Sequence, residues 1–326
     1  MFKSFRLAPL PKKEVSEGLN DVIIVGAGPA GLSAALYSAR FKLKVLVIAK
    51  EIGGTLNEAG VIDDYIGLPN IRGSELGRLM AEHVSKYDVP IINDEVVNVV
   101  KNGEVFKVIT KSGKKFRSKA VILAVGSRRR RLGVPGEDRF LGKGVSYCAA
   151  CDAPLFKDKV VAVVGGGNAA LQAAILLSSY ASKVYLIHRR KEFRAFPIYV
   201  DRVKELDNVE LILNSVITEI GGKEWVEWVR VRDKETNEEK LIKVNGVFVE
   251  IGSEPPKDFF TKLGLKTDER GYVIVGAGQE TNIKGIFAVG DCAVNPYRKK
   301  FDQVVTAVAD GAIAALNAYE YILKTS

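Results

Sequence analysis

Two glycine-rich turns constrain this chain more than any other feature: Gly26-Ala27-Gly28-Pro29-Ala30-Gly31 and Gly165-Gly166-Gly167-Asn168-Ala169-Ala170. Each comes after a short β-branched apolar run, residues 21–25 and 159–164. Each precedes an Ala-rich stretch, 32–40 and 171–179, and then a second apolar run, 44–49 and Lys183–Ile187. Continuous apolar runs of that length predict strands buried on both faces of a parallel sheet. The order strand, turn, helix, strand is a βαβ unit, the context in which such glycines have separate jobs. The first permits the turn, the second lets backbone approach a pyrophosphate, and the third lets helix pack on strand. The helix N-terminus then presents free N–H groups to an anion. The chain therefore reads as two dinucleotide-binding halves, a duplicated architecture.

Residues 120–126 and 285–291 read as further buried strands, ending in Gly126 and in Gly290-Asp291, and 303–318 reads as an amphipathic helix. The strand-plus-helix pattern thus returns after the second unit. The predicted organisation is one discontinuous domain, 1–127 and 253–326, with a second domain, 128–252, inserted in it. Residues 248–252 mirror 123–127 as the second crossover. With 326 residues, 47% of them hydrophobic and 27% charged, the chain can bury two cores and has an ordinary globular composition. No apolar run reaches the roughly 18 residues of a membrane helix. Residues 1–20 lack the apolar stretch of a secretory leader, so a cytoplasmic location is expected.

There are three cysteines, too few for a secreted disulfide framework. Two stand in Cys148-Ala149-Ala150-Cys151, with Asp152 directly after them. That spacing allows a small disulfide that opens and re-forms, and it lowers a thiolate pKa. A zinc site would need four N/S ligands, and Cys292, His83 and His188 are isolated in sequence, so no metal is expected. Asp152 is either an acid/base beside the sulfurs or the cap of a local turn. Cys292 reads as a small apolar packer. The formal net charge is +9. Six cationic side chains against two acidic ones fall within 128–143, directly ahead of the first cysteine. They read as a solvated surface, or as a surface steering an acidic partner or cofactor phosphates. No nucleic-acid-binding motif accompanies them.

The residues just past each βαβ unit separate the two ligands. Glu51 stands two residues past the first unit and is a candidate for ribose hydroxyls. After the second unit come His188, Arg189, Arg190 and Arg194, with no acid. Guanidinium groups there suit a 2′-phosphate through charge-assisted bidentate bonds, which selects NADPH over NADH.

The segments VGAGPAGLSAALYSAR, CAACDAP, VVGGGNAALQAAILLSSYASKVYLIHRRKEFRA and IFAVGDC occur in that order between about Asp21 and Ile322. In them the chain resembles the low-molecular-weight thioredoxin reductases of bacteria and archaea. The resemblance implies an α/β fold of two Rossmann-like dinucleotide-binding domains of the FAD/NAD(P)-linked disulfide reductase type, the second inserted in the first. It implies FAD held by Gly26, Gly28, Pro29, Ala30, Gly31, Glu51, Gly53, Gly54, Thr55, Leu56, Asp64, Gly126, Gly290, Asp291, Gln303 and Val304. It implies NADPH held by Gly165, Gly167, Asn168, Ala169, Ala170, His188, Arg189, Arg190 and Arg194. Cys151 would face the flavin, Cys148 would attack a partner's disulfide, and Asp152 would serve as acid/base. A homodimer is implied, with an inserted domain that swings so that nicotinamide and dithiol take turns at the flavin. The partner would be a thioredoxin or a glutaredoxin-like protein disulfide oxidoreductase. An NAD(P)H oxidase or ferredoxin–NADP reductase relative is the alternative, and the intact CxxCD argues against it. The chain departs from the family pattern at Thr55, where Gln is usual, at Asp64, where Asn is common, and at Ala49, where many members place the ribose acid. The basic stretch 292–302 (Arg298, Lys299, Lys300) is also longer than expected.

Overall fold

The structure is a computed structural model that describes residues 18–59, 61–62 and 64–325. Two compact units divide the chain. Among the described residues, one is drawn from 18–57, 62–127 and 254–325, the other from 58–61 and 128–253.

The first unit opens with β1 (Leu19–Ala27), α1 (Pro29–Arg40) and β2 (Val45–Ile52), the expected βαβ unit. Then come α2 (Gly73–Ser85), β3 (Ile91–Asn93) and a meander of β4 (Val96–Asn102), β5 (Val105–Thr110) and β6 (Lys115–Leu123). β1 is central: Val22 lies opposite Val45 of β2 on one side and Ala120 of β6 on the other, both parallel. β1 alternates between two cores. Val22 and Ile24 join Ala34 and Val47 on the helical face, while Ile23 and Val25 join Phe106 and Val108 on the other. Burial of both faces is what its unbroken apolar run requires.

The second unit is built the same way. β7 (Val145–Ser146) and α3 (Ala149–Asp152) precede β8 (Val160–Gly165), α4 (Asn168–Ser178), β9 (Lys183–Ile187), α5 (Pro197–Lys204) and β10 (Val209–Ile212). An antiparallel sheet, β11 (Ser215–Gly221), β12 (Trp228–Asp233) and β13 (Glu239–Lys243), leads into β14 (Gly246–Glu250). The parallel sheet has the order β7-β14-β8-β9-β10. Ala162 and Val164 of β8 face a core shared with Ile217, Ile220 and Val229 of the antiparallel sheet. Val161 and Val163 face α4 through Ala170, Leu171 and Ala174.

Both helices start earlier than the apolar pattern indicated, at Pro29 and Asn168. The last residues of each glycine motif are the first turn of the helix. Pro29 suits that place because a first-turn N–H has no intrahelical partner to lose.

The chain returns to the first unit through α6 (Lys257–Lys262), β15 (Ile286–Ala288) and α7 (Val304–Thr325). β15 adds to the end of β6, with Ile286 opposite Val121. α7 runs past the expected 303–318 because its buried face continues to Ile322 and Tyr319 stacks on Phe41 at 5.1 Å. α1 and α7 approach closely: Ser33 Oγ donates to the Val308 carbonyl at 2.7 Å, and a Cβ on Gly311 would lie 2.1 Å from the Ala30 oxygen. Among the described residues no helix is long and apolar enough to cross a membrane.

Gly311→Ala must therefore push two helices apart. Overpacking of this kind costs about 1–3 kcal/mol. The urea midpoint of the variant falls, and an unchanged midpoint would mean that the α1–α7 contact yields without strain.

Candidate active site

Gly26, with φ +109°, brings β1 against the crossover after β6: a Cβ there would lie 2.1 Å from the Ala124 oxygen. Gly28 then caps α1 with no side chain satisfying the first-turn N–H groups, which leaves them open to a ligand. Other small residues close on this point. A Cβ on Gly54 would lie 3.3 Å from Gly28 Cα, one on Gly290 would lie 3.1 Å from Ala30 Cβ, and the Gly53 N–H donates to the Ala27 carbonyl at 2.8 Å. Gly77 of α2 lies under the same turn, 3.1 Å from Gly53 Cα on the same measure. No sequence signal marked it, because it lies outside every motif. Leu56 is buried, while Thr55, Glu51 at the end of β2 and Asp64 are exposed. Gln303 sits ahead of Val304, the first residue of α7, and its carbonyl accepts the Thr306 hydroxyl at 2.8 Å.

Asp291 stands next to Gly290. Burial, reinforced by Asp302 and Asp310 and opposed by Lys300, pushes its carboxyl up to about 6. The carboxylate accepts no hydrogen bond from a described residue. An unsatisfied acceptor beside an open helix N-terminus and a glycine cradle fits a ligand with both hydroxyl and phosphate groups, as FAD has.

The second turn repeats the construction. Gly165, with φ +153°, would place a Cβ 2.2 Å from the Glu250 oxygen, the counterpart of Gly26 and Ala124. Gly167 caps α4 without a side-chain bond and has nothing within 4 Å of a Cβ, so the approach to Asn168, Ala169 and Ala170 is open. The Asn168 side chain accepts the Phe196 N–H at 2.7 Å, and the Arg194 N–H donates to the Gly166 carbonyl at 2.8 Å. These bonds fold the 188–197 loop over the turn. Arg189, Arg190 and Arg194 are exposed, and their guanidinium groups make no hydrogen bond or ion pair with a described residue. Neighbouring Lys191, by contrast, pairs with Glu235 at 2.5 Å. Three free guanidiniums beside an open helix N-terminus fit the additional phosphate of NADPH.

His188 lies deeper than the arginines beside it. Its ring is buried, donates from Nε2 to the Glu192 carbonyl at 3.1 Å, and stacks on Phe193 at 5.5 Å. Burial, with the charges of Arg190, Arg189 and Arg194 set against the Glu192 bond, holds its pKa below the ordinary value. His188 thus also supports the basic turn from inside, through the Glu192 carbonyl and Phe193. Its ring also explains Gly166, to which the motif alone assigned no contact: a Cβ there would lie 2.2 Å from the imidazole.

Cys148 is half-buried and disulfide-bonded, and its carbonyl accepts the Asp152 N–H at 3.2 Å across α3. Ala149 and Ala153 seat this turn in the same core as Leu171 of α4. Asp152 is half-buried. Cys292 is free and fully buried, and burial pushes its thiol up to about 11, which leaves it unreactive. The basic segment 128–143 is less of a free surface than its composition implied. Arg129 bonds the buried Glu250 at 3.0 Å, Arg131 pairs with Asp138, and Arg139 donates to the Lys223 carbonyl at 2.8 Å. Reversing the charge of Arg129 would strand a buried carboxylate as well as alter the surface.

The Asp291 carboxyl gives a pH test on the apoprotein. Its folded pKa, about 6, lies above the ordinary 3.8. The folded state therefore holds the proton more tightly, and this contribution to stability is present below pH 4 and lost as pH rises to about 6. A pKa difference of that size corresponds to roughly 3 kcal/mol. Asp291→Asn removes that fall from the unfolding free energy of the apoprotein between pH 4 and 6 and weakens FAD retention. An identical pH profile in variant and wild type would contradict the assignment.

Residues 20–311 match the family model for pyridine nucleotide-disulphide oxidoreductases. Lactococcus lactis thioredoxin reductase superposes with a TM-score of 0.89 at 36% identity, covering 94% of this chain and 99% of that one. T. acidophilum thioredoxin reductase gives 0.87 at 39% identity with the same coverage. The alkyl hydroperoxide reductase F protein of Staphylococcus aureus is 38% identical over 305 residues, 93% of this chain, and the chain spans 59% of that protein's length. The chain belongs to the pyridine nucleotide-disulphide oxidoreductase family, in its low-molecular-weight thioredoxin reductase branch.

Proposed function

We propose that this protein uses NADPH to reduce a protein disulfide, through FAD in the first unit and the Cys148–Cys151 pair in the second. The observation that carries the reading is the state of the cysteines. One, Cys148, is disulfide-bonded on a short turn packed against the helix of the second glycine motif, and another, Cys292, is buried and inert. An NAD(P)H oxidase or a ferredoxin–NADP reductase relative would have no use for that disulfide.

Gly26, Gly28, Gly31, Gly53, Gly54, Gly290 and Asp291 would hold FAD, which, when bound, takes a hydride from NADPH and passes an electron pair to a disulfide. Gly165, Gly167 and the α4 N-terminus would receive the NADPH pyrophosphate, and Arg189, Arg190 and Arg194 its 2′-phosphate. Two electrons and two protons open the Cys148–Cys151 bond, with Asp152 placed on the same turn to supply a proton. The Cys148 thiolate then attacks the partner's disulfide, breaking its S–S bond and forming a mixed disulfide. The Cys151 thiolate displaces the partner's dithiol and restores the starting bond. The partner would be thioredoxin-like or a glutaredoxin-like protein disulfide oxidoreductase, and the enzyme cytoplasmic. A homodimer is supported by an apolar stripe on α7, where Val305, Ile313, Leu316 and Leu323 are exposed.

Two experiments test the relay and its cofactor. In Cys148→Ser and Cys151→Ser, NADPH still bleaches the flavin anaerobically while reduction of the partner disulfide is lost. Full partner turnover in either variant would refute the relay. Replacing Arg189 and Arg190 with neutral residues raises the NADPH KM about tenfold or more, since a charge-assisted phosphate contact contributes roughly 1.5–3 kcal/mol. The NADH KM barely moves. A wild type that already prefers NADH would assign the arginines to something else.

A further inference from the structure

Cys148 stands between two elements too short to fix it. β7 ahead of it has two residues and α3 behind it has four, and a single turn is marginal without other support. Side chains supply that support. Glu137 is buried to 3% exposure and accepts the N–H groups of Leu132 and Gly133 at 2.8 Å each, together with the Tyr147 hydroxyl. Arg131 Nε donates to the same Tyr147 oxygen at 3.3 Å, and its terminal nitrogen pairs with Asp138. The phenol thus donates to a carboxylate and accepts from a guanidinium. Burial, with the bond to Glu137, pushes its pKa up, so it keeps its proton. One residue earlier, the buried Ser146 Oγ accepts the Cys148 N–H at 3.0 Å and donates to the Cys148 carbonyl at 3.3 Å. The residue before Cys148 is tied to the 131–137 turn, and both backbone groups of Cys148 are gripped by one hydroxyl.

We propose that Tyr147 and Ser146 are positioning residues that hold the Cys148 peptide in the geometry of the closed disulfide and so set the redox poise of the dithiol. Both anchors are present in the disulfide-bonded form. They therefore favour that form by raising the effective concentration of one sulfur at the other. Without them the Cys148 peptide gains freedom that ring closure must remove. The role deepens the disulfide-reductase reading above and rests on it for its meaning in turnover, but its physical content concerns only the exchange of this disulfide with two thiols.

The test is equilibration of the FAD-loaded protein in glutathione redox buffers. Two glutathione thiols reduce the protein disulfide to a dithiol and leave as glutathione disulfide. Thiol counting by mass spectrometry after acid quenching and alkylation gives the constant. Tyr147→Phe and Ser146→Ala each make the protein disulfide about tenfold easier to reduce, a shift of about 30 mV towards more oxidising potential. Ser146→Thr, which keeps the hydroxyl, stays within about twofold of wild type. Anaerobic bleaching of the flavin by NADPH proceeds at the wild-type rate in all three, which confirms that each is folded and loaded. The proposal is overturned if both removals leave the glutathione equilibrium unchanged, or if Ser146→Thr shifts as far as Ser146→Ala. Failure of the wild type to reduce any protein disulfide would sink the functional reading and leave the glutathione result standing.

Discussion

The structure depends on one kind of contact made twice: a carbonyl oxygen lodged where a glycine has no Cβ. Ala124 supplies the oxygen against Gly26, and Glu250 supplies it against Gly165. Each contact joins the first strand of a βαβ unit to the C-terminal end of a later strand of the same sheet, just past β6 at Ala124 and at the last residue of β14 at Glu250. Any side chain at either glycine would drive that strand end away and lift the helix N-terminus from the sheet end. The open first turns of α1 and α4, and hence both candidate nucleotide sites, exist because these two approaches are possible.

Around this frame the charges divide by whether they are satisfied within the protein. Arg129 and Arg131 are engaged with Glu250, Asp138 and Tyr147. Arg189, Arg190 and Arg194 are not engaged, and neither is the Asp291 carboxylate. Groups of the first kind shape the fold, and those of the second kind are the candidate ligand contacts. The Cys148 turn joins the two. It packs through Ala149 onto the helix that starts at the second glycine motif, and it is anchored through Tyr147 by the engaged arginine.

Both βαβ units were legible because a strand buried on two faces leaves an unbroken apolar run, and because only glycine fits the turns. The helix starts were not, since the apolar pattern begins only at Leu32 and Leu171, while the first turn of each helix is supplied by the glycine motif. The basic segment shows a related limit. Composition counts the charge of Arg129 but is blind to Glu250, 121 residues away in the chain. The packing of His188 on Phe193 and against Gly166 has no sequence signal, because only the fold brings those residues together. Tyr147 and Ser146 carry no motif, and their importance appears only once Glu137 and the Cys148 backbone are placed beside them.

The central claim, that electrons from NADPH reach a disulfide in this chain by way of the flavin, is tested most directly by an anaerobic NADPH titration of the FAD-loaded protein. Flavin absorbance and free thiols are monitored together. The account predicts uptake of about two equivalents per chain, one for the flavin and one for the disulfide, with two thiols appearing. Complete bleaching after a single equivalent, with no thiol released, would contradict it.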